Sequence, residues 1–83
     1  MRRELAMPRL GHLQEVGTVV EWRKQPGQTV RKGEVLMLIE TEKTTVEVEA
    51  AYDGVFTQVL VEAGVEVPVG TPIALIDETE GDR

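Results

Sequence analysis

The 83-residue chain contains no cysteine, no serine and no asparagine, and its only histidine is His12. Without cysteine it can form no disulfide framework, thiol nucleophile or cysteine metal site. One histidine without serine provides neither a histidine-based zinc site nor a Ser-His-Asp triad. A chain this short buries only roughly 60–65% of the surface that it exposes when unfolded, which leaves little room for a deep substrate cavity. The sequence therefore argues against an independent enzyme and predicts no metal site.

Positive charge and long apolar runs are also scarce. Nine lysine and arginine residues face fifteen aspartate and glutamate residues, which gives a net charge of −6. Nucleic acid and anionic membranes repel such a chain, and no run approaches the roughly 20 apolar residues that span a bilayer. The basic residues 1–3 are not followed by the apolar core of a secretory signal. We expect no nucleic-acid or membrane partner, and we interpret residues 1–3 as the short charged start of a cytoplasmic domain.

β-branched residues dominate the composition. Thirteen valines, eight threonines and three isoleucines favour extended backbone. Eight glycines and four prolines divide the chain into short pieces, and no window carries a reliable helical stripe. The sequence predicts an all-β fold, and Pro8 confines the first strand to a sheet edge or strand end. The predicted strands are 5–10, 18–24, 29–31, 35–39, 45–50, 55–61, 65–67 and 73–76.

An internal repeat relates the two parts of the chain. Residues 17–40 align without a gap on residues 54–77. The identical pairs are Gly17/Gly54, Gly27/Gly64, Val30/Val67, Gly33/Gly70, Leu38/Leu75 and Ile39/Ile76. Repeats of this length are usually supersecondary units that pack on each other. We therefore expect a flattened β-barrel or sandwich of two pseudo-two-fold related halves, each of about four short strands, packed face to face. Trp22 aligns with Val59 and is expected in the core.

The segment that joins the two repeats carries the candidate site. A short polar stretch separates the apolar strand 35–39 from the alternating strand 45–50. Two strands separated by a few polar residues predict a hairpin, with Lys43 at its tip. Glu47 and Glu49 share one face of the second strand, where a solvated surface is a better interpretation than a catalytic carboxylate pair.

These features together resemble the lipoyl domain of 2-oxoacid dehydrogenase complexes, within the biotinyl/lipoyl attachment family. The strongest stretch is Ile39-Glu40-Thr41-Glu42-Lys43-Thr44, and further similar stretches cover almost the whole chain. They are 7–11, 17–22, 26–30, 32–34, 46–48, 54–55, 62–64 and 67–73. The resemblance implies a lipoyl domain over 1–78, with the barrel-sandwich hybrid fold of that family, and a frayed charged tail at 79–83.

The resemblance also implies that Lys43 is amide-linked to lipoic acid by a lipoate ligase or lipoyl transferase. Glu42 and Thr44 stand where the family usually has aspartate and alanine, and are expected to be recognised by the ligase. The modified arm would shuttle acyl groups and reducing equivalents among a thiamine-dependent 2-oxoacid decarboxylase, an acyltransferase core and a flavoprotein dihydrolipoyl dehydrogenase. The domain is then a monomeric carrier without its own catalytic site, as part of or alongside a dihydrolipoyl acyltransferase.

A loop before the second strand is the expected partner-recognition element, because in the family it folds near the lipoyl-lysine and helps the decarboxylase to discriminate. Glu15 matches the family pattern, whereas Val16 replaces an acidic residue. The residues implied in partner recognition are Gly11, His12, Leu13, Gln14, Glu15 and Glu40. From the residues alone, a lone histidine on a surface loop is more often simply solvated.

Other functions remain open. A biotin carboxyl carrier domain of a carboxylase also modifies a hairpin lysine, but that lysine is typically flanked by methionines, and the nearest methionine here is Met37. A glycine-cleavage H protein needs additional terminal segments with helical pattern. An unmodified β-barrel that serves only protein contacts would give Lys43 no role, and the acidic neighbours of Lys43 argue against it.

Overall fold

The computed structural model describes residues 1–79, which form eight β-strands and no helix. This part of the chain therefore contains no helix that could cross a membrane. Of the predicted tail, residues 80–83 lie outside the described residues. The strands are β1 (Arg2–Ala6), β2 (Val16–Trp22), β3 (Thr29–Val30), β4 (Val35–Glu40), β5 (Thr45–Glu49), β6 (Gly54–Val59), β7 (Glu66–Pro68) and β8 (Pro72–Glu78).

The strands form two antiparallel four-stranded sheets, in the orders β1-β8-β6-β3 and β5-β4-β2-β7. The apolar side chains between the sheets form the core, and the fully buried ones include Phe56, Leu36, Ile39 and Ile73. Burying this apolar surface is the main favourable contribution to folding. The predicted all-β flattened sandwich of two four-stranded halves is confirmed. The described residues form two facing sheets and not a closed barrel.

The internal repeat is visible in the backbone. β2, β3 and β4 of the first copy correspond to β6, β7 and β8 of the second. Two of the identical glycine pairs adopt matching left-handed conformations: Gly27 and Gly64 have φ of 96° and 95°, and Gly33 and Gly70 have φ of 92° and 94°. A side chain is strained in this region, so the shared glycines mark the same turns in both copies.

The two repeats exchange strands, so neither sheet is built from one repeat alone. β3 pairs with β6, and β7 pairs with β2, so each repeat contributes its short middle strand to the other sheet. The turns that precede these two strands also form hydrogen bonds to the other repeat. The Gly27 N–H donates to the Phe56 carbonyl at 2.7 Å, and the Gly64 N–H donates to the Val19 carbonyl at 2.8 Å. The chain therefore crosses between the sheets before each short strand begins.

The first strand lies earlier than the predicted 5–10, and residues 1–3 are not merely a charged start. β1 is an edge strand that pairs along β8, with Glu4 opposite Leu75. The charges of Arg2 and Arg3 are tolerated because an edge strand is open to solvent, and Arg3 forms an ion pair with Glu78. The strand ends before Pro8, which has no N–H to donate to a ladder. The expectation that the proline limits an edge strand is confirmed, but the boundaries were wrong.

Trp22 lies at the margin of the core. It is half-buried, its ring meets Phe56 edge to face with the ring centroids 5.5 Å apart, and its Nε1 donates to the Val61 carbonyl at 3.1 Å. The indole therefore links the second sheet to the first while its polar atom is satisfied.

The register defines two opposite ends of the molecule, whose dimensions are 41 × 21 × 18 Å. At one end Gly54 pairs with both Val30 and Glu78, and the Glu78 N–H donates to the Met1 carbonyl. β4 begins and β5 ends at this same end, because the Gly33 N–H donates to the Ala50 carbonyl. The turn between β4 and β5 lies at the other end, about 20 Å away along a six-residue strand.

Candidate functional site on the β4–β5 hairpin and its neighbouring loop

β4 and β5 form the predicted hairpin, which places Lys43 at its tip. The ladder continues to the pair Glu40 and Thr45, and the Thr41 N–H donates to the Thr44 carbonyl at 2.8 Å. Glu42 and Lys43 therefore occupy the two central positions of the turn. No non-glycine residue among the described residues has a positive φ, so this turn is not one of the primed types that two-residue hairpins favour.

The Thr41 hydroxyl lies at the centre of the turn. Its Oγ1 accepts the backbone N–H groups of Lys43 at 3.3 Å and of Thr44 at 3.2 Å, and it donates to the Thr44 carbonyl at 3.1 Å. Thr41 is half-buried, whereas the next residues of the turn are exposed. A side chain of the hairpin therefore organises the backbone that carries Lys43.

The Lys43 side chain is exposed and forms no ion pair with any residue of 1–79. The other two lysines have different surroundings. Lys24 is half-buried and its Nζ lies 3.1 Å from the Glu34 carboxylate. Lys32 lies in the β3–β4 turn, where its backbone N–H donates to the Asp53 carboxylate at 2.7 Å. Lys43 is thus the lysine on the hairpin tip, at the end of the molecule away from the described termini.

The loop between β1 and β2 is held by one half-buried side chain. Gln14 Oε1 accepts the N–H groups of Leu10 at 2.6 Å and of Gly11 at 3.2 Å. Gln14 Nε2 donates to the carbonyls of Val16 at 3.0 Å and of Pro8 at 3.3 Å. The amide of Gln14 therefore bonds within the loop, and the partner-recognition role of this residue stays a prediction.

The loop and the hairpin face each other across an open groove. The structure brings all the predicted site residues to this groove, and sequence-based reasoning missed several more, among them the turn residue Thr41. The predicted residues are Gly11, His12, Leu13, Gln14, Glu15, Glu40, Glu42, Lys43 and Thr44, and the additional ones are Leu10, Val16, Gly17, Thr18, Thr41, Val46 and Glu66. Serine and threonine hydroxyls are common in turns, so the position of Thr41 was the available signal.

The groove combines negative charge with exposed apolar surface. Its carboxylates are Glu15, Glu40, Glu42 and Glu66. Leu13 is 83% exposed, and the side chains of Leu10 and Val16 are also exposed. Such a surface can meet a partner that offers basic groups around an apolar contact.

Three groups away from the groove have displaced pKa values. The hydrogen bond from the Arg31 backbone N–H lowers the pKa of Glu34. The hydrogen bond and charge of Glu78 raise the pKa of Arg3, and burial raises the pKa of Tyr52. These three groups do not line the groove.

A known family accounts for this arrangement of strands and hairpin. The biotin/lipoyl family, described as "Biotin-requiring enzyme", matches residues 3–76. The chain belongs to this family. The predicted family resemblance is thus confirmed, and the match covers both sheets and the Lys43 hairpin of this biotin/lipoyl domain.

Individual proteins similar to this biotin/lipoyl domain include an acyltransferase component, a lipoyl domain and a carboxylase. It is 40% identical over 80 residues to the dihydrolipoyllysine-residue acetyltransferase component 5 of the chloroplastic pyruvate dehydrogenase complex of Arabidopsis thaliana, a match that covers 96% of this chain and 17% of that protein. The solution structure of the lipoyl domain of the 2-oxoglutarate dehydrogenase complex from Azotobacter vinelandii is 33% identical with a TM-score of 0.74, and the match covers 95% of this chain and 98% of that one.

A structure of a single-chain, multi-domain long-chain acyl-CoA carboxylase is also similar, with 26% identity and a TM-score of 0.77 over 96% of this chain and 7% of that one. The biotin/lipoyl domain spans less than a fifth of the length of curated acyltransferase relatives that it matches. The similarity therefore concerns a domain, and not the whole of any of those larger proteins.

Proposed function

We propose that this domain carries lipoic acid on Lys43 and acts as the swinging arm of a 2-oxoacid dehydrogenase complex. It would work as part of or alongside the dihydrolipoyl acyltransferase component, in the cytoplasm. The observation that carries the proposal is the exposed Lys43, without an ion pair in residues 1–79, at the hairpin tip of a fold shared with a lipoyl domain.

The residues around Lys43 fit amide attachment of lipoic acid. Because the exposed ammonium of Lys43 forms no ion pair within residues 1–79, transfer of one proton to a base of the ligase gives the free amine. Nζ then attacks an activated lipoyl carboxyl group: the C–N bond forms, the bond to the leaving group breaks, and a second proton leaves the nitrogen. Glu42 and Thr44 flank the amine and would be contacted by the ligase. When bound, the group supplies the reactive sulfur that this cysteine-free chain lacks.

The domain contributes position and tethering. The paired strands β4 and β5 hold the turn rigidly, while the lysine side chain remains free to move. A tethered arm makes each transfer effectively intramolecular, which raises the local concentration of the acyl carrier at each active site. The partners that we propose are a thiamine-dependent 2-oxoacid decarboxylase, the acyltransferase core and a flavoprotein dihydrolipoyl dehydrogenase, with lipoate ligase or lipoyl transferase acting first.

Biotin is the second candidate for the same lysine. The family description and the carboxylase structure favour it. The residues next to Lys43 are glutamate and threonine, and not the methionines typical of biotinyl carriers. The lipoyl proposal is therefore preferred.

Intact mass and peptide mapping after co-production with a lipoate ligase, and separately with a biotin ligase, test the two candidates. We expect a single lipoyl increment on Lys43. Lys43→Arg should abolish this increment and keep the fold, because the side chain is exposed, whereas Lys24→Arg should leave it unchanged. A biotinyl increment on Lys43 would replace the lipoyl proposal with the carboxylase one, and no increment with either ligase would reject both carriers in favour of an unmodified interaction module.

A further inference from the structure

We propose that Thr41 is a positioning residue for the modification of Lys43, and that its hydroxyl gives the turn the shape that the ligase recognises. This inference rests on the proposed function. It assigns Thr41 no contact with the reacting atoms, since its side chain bonds only to the backbone of the hairpin.

The backbone alone provides a poor turn at this position. Only two residues, Glu42 and Lys43, separate the hydrogen-bonded pair Thr41 and Thr44. Two-residue hairpins favour primed turns, whose twist matches that of the strands and whose first central residue has a positive φ. Neither central residue has a positive φ. An additional interaction would therefore stabilise this turn beyond the Thr41 N–H to Thr44 carbonyl bond.

The Thr41 hydroxyl supplies that interaction with its full bonding capacity. A hydroxyl has one donor and two acceptor sites. Here it accepts from the N–H groups of Lys43 and Thr44 and donates to the Thr44 carbonyl, at 3.1–3.3 Å. In the ladder pattern, the Thr44 N–H would reciprocate the bond from the Thr41 N–H by donating to the Thr41 carbonyl. The hydroxyl takes the place of that carbonyl and also holds the amide of Lys43 itself.

Within residues 1–79, Thr41 is the one side chain that hydrogen-bonds to the backbone of Lys43. The Lys43 side chain makes no hydrogen bond or ion pair within residues 1–79, so only its backbone is positioned. Threonine is stiff about χ1, and this stiffness keeps the hydroxyl under the turn. Loss of the hydroxyl would remove the acceptor for the N–H groups of Lys43 and Thr44. The turn could then change shape, and Nζ would no longer be held in the position that fits the ligase active site.

The decisive experiment compares ligase kinetics on matched variants at a temperature at which each is folded by circular dichroism. Thr41→Val removes the hydroxyl and keeps the branched shape. Thr41→Ser keeps the hydroxyl. Thr45→Val is the control, because the exposed Thr45 hydroxyl makes no hydrogen bond within residues 1–79. A misplacement of about 1 Å can cost roughly 100-fold in rate, so we expect Thr41→Val to lower the ligase kcat/KM by at least about tenfold.

Thr41→Ser should keep kcat/KM within about threefold of the wild-type value, and Thr45→Val should be unchanged. Amide hydrogen exchange at Lys43 and Thr44 should accelerate in Thr41→Val and not in Thr41→Ser. If Thr41→Val does not fold, the pair Thr41→Ser and Thr41→Ala, which differs only by the hydroxyl, provides the same comparison.

A kcat/KM for Thr41→Val equal to the wild-type value would overturn the inference and leave the carrier proposal intact. Equal values for Thr41→Ser and Thr41→Ala would do the same. An equal loss in Thr41→Ser would also overturn it, because the hydroxyl would then not be the active group. Absence of modification in the wild-type chain would overturn both the inference and the proposed function.

Discussion

At the scale of single residues, the lysines differ in what their ammonium groups meet. Lys24 is held by Glu34, whereas Lys43 faces solvent on the hairpin tip. An amine that must enter the active site of a ligase cannot already be bound to a carboxylate without a desolvation cost. The difference in surroundings therefore favours Lys43 over Lys24, and its place at the hairpin tip distinguishes it from the exposed Lys32 of the β3–β4 turn.

The ionised Glu34 carboxylate contributes to the stability of the fold, and this contribution is lost in acid. The Arg31 backbone N–H, followed by Lys24, lowers the pKa of Glu34 in the folded state. A lowered folded pKa stabilises the fold above the unfolded pKa of about 4.3, and this contribution is lost as the pH falls through the folded value. In denaturant titrations, Glu34→Gln should be less stable than the wild type at pH 7, and the difference should shrink towards pH 3.

The matched control for this prediction is Glu62→Gln. The Glu62 carboxylate makes no ion pair or hydrogen bond within residues 1–79, so its replacement should give a difference that changes little over the same pH range. A Glu34→Gln difference that stays constant between pH 7 and pH 3 would contradict the proposed linkage.

At the scale of the element, the hairpin places one residue position, and not a stretch of chain, where a ligase can modify it. Lys43 is the second central residue of the turn, whereas the next residue already bonds to Thr41 through its carbonyl. Exchanging residues 43 and 44, by Lys43→Thr with Thr44→Lys, keeps composition and charge but moves the amine one position towards β5. We expect mass spectrometry to show no lipoyl increment on this double variant.

A variant with an additional lysine next to the turn is the control for ligase access. Thr45→Lys places an additional exposed amine on β5 while Lys43 stays in place. One increment, mapped to Lys43, is expected. A second increment on the new lysine would show that the ligase accepts any lysine near the tip. Recognition would then not depend on the position of the lysine in the turn.

The sequence predicted most strands because their signals are local. Val46, Val48 and Ala50 alternate with exposed glutamates as expected for β5, and the repeated glycines mark the same turns. The first strand was misplaced because its pairing with β8 is a long-range contact, which alternation within residues 1–10 does not reveal. The exchange of β3 and β7 is equally invisible, since strands of two and three residues carry almost no periodic signal.

The candidate site was predictable to the same extent. Lys43 and the facing loop were found from the hairpin pattern and the family resemblance, and the structure brings them to one groove. The internal bonding of Gln14 and the role of Thr41 in the turn were not found, because both depend on hydrogen-bond geometry over a few residues. Residue type alone allows either side chain to face a partner instead.

At the scale of the whole molecule, the strand exchange makes each sheet depend on both repeats. β3 completes the sheet of β6, and β7 completes the sheet of β2. Neither repeat can therefore unfold while the other keeps its full sheet. We expect one cooperative transition, in which Trp22 fluorescence and far-UV circular dichroism give the same denaturant midpoint.

A core substitution tests this coupling further. Phe56 is fully buried and meets Trp22 across the sheets. Phe56→Ala should cost about 3–5 kcal/mol and shift both probes equally. Separate midpoints for the two probes, in the wild type or in the variant, would show that the sheets unfold independently.

The position of β1 and β8 has a consequence for any longer chain in which this domain is embedded. Met1 and Glu78 lie together at the end where β4 begins, and Lys43 lies at the end where β4 finishes. Polypeptide joined to either terminus would leave from the end opposite the lysine. Rotation of the whole domain about such a linker would move Lys43 along an arc with a radius of about 20 Å or more, the length of β4. The folded body thus lengthens the reach of the arm beyond that of the modified side chain alone.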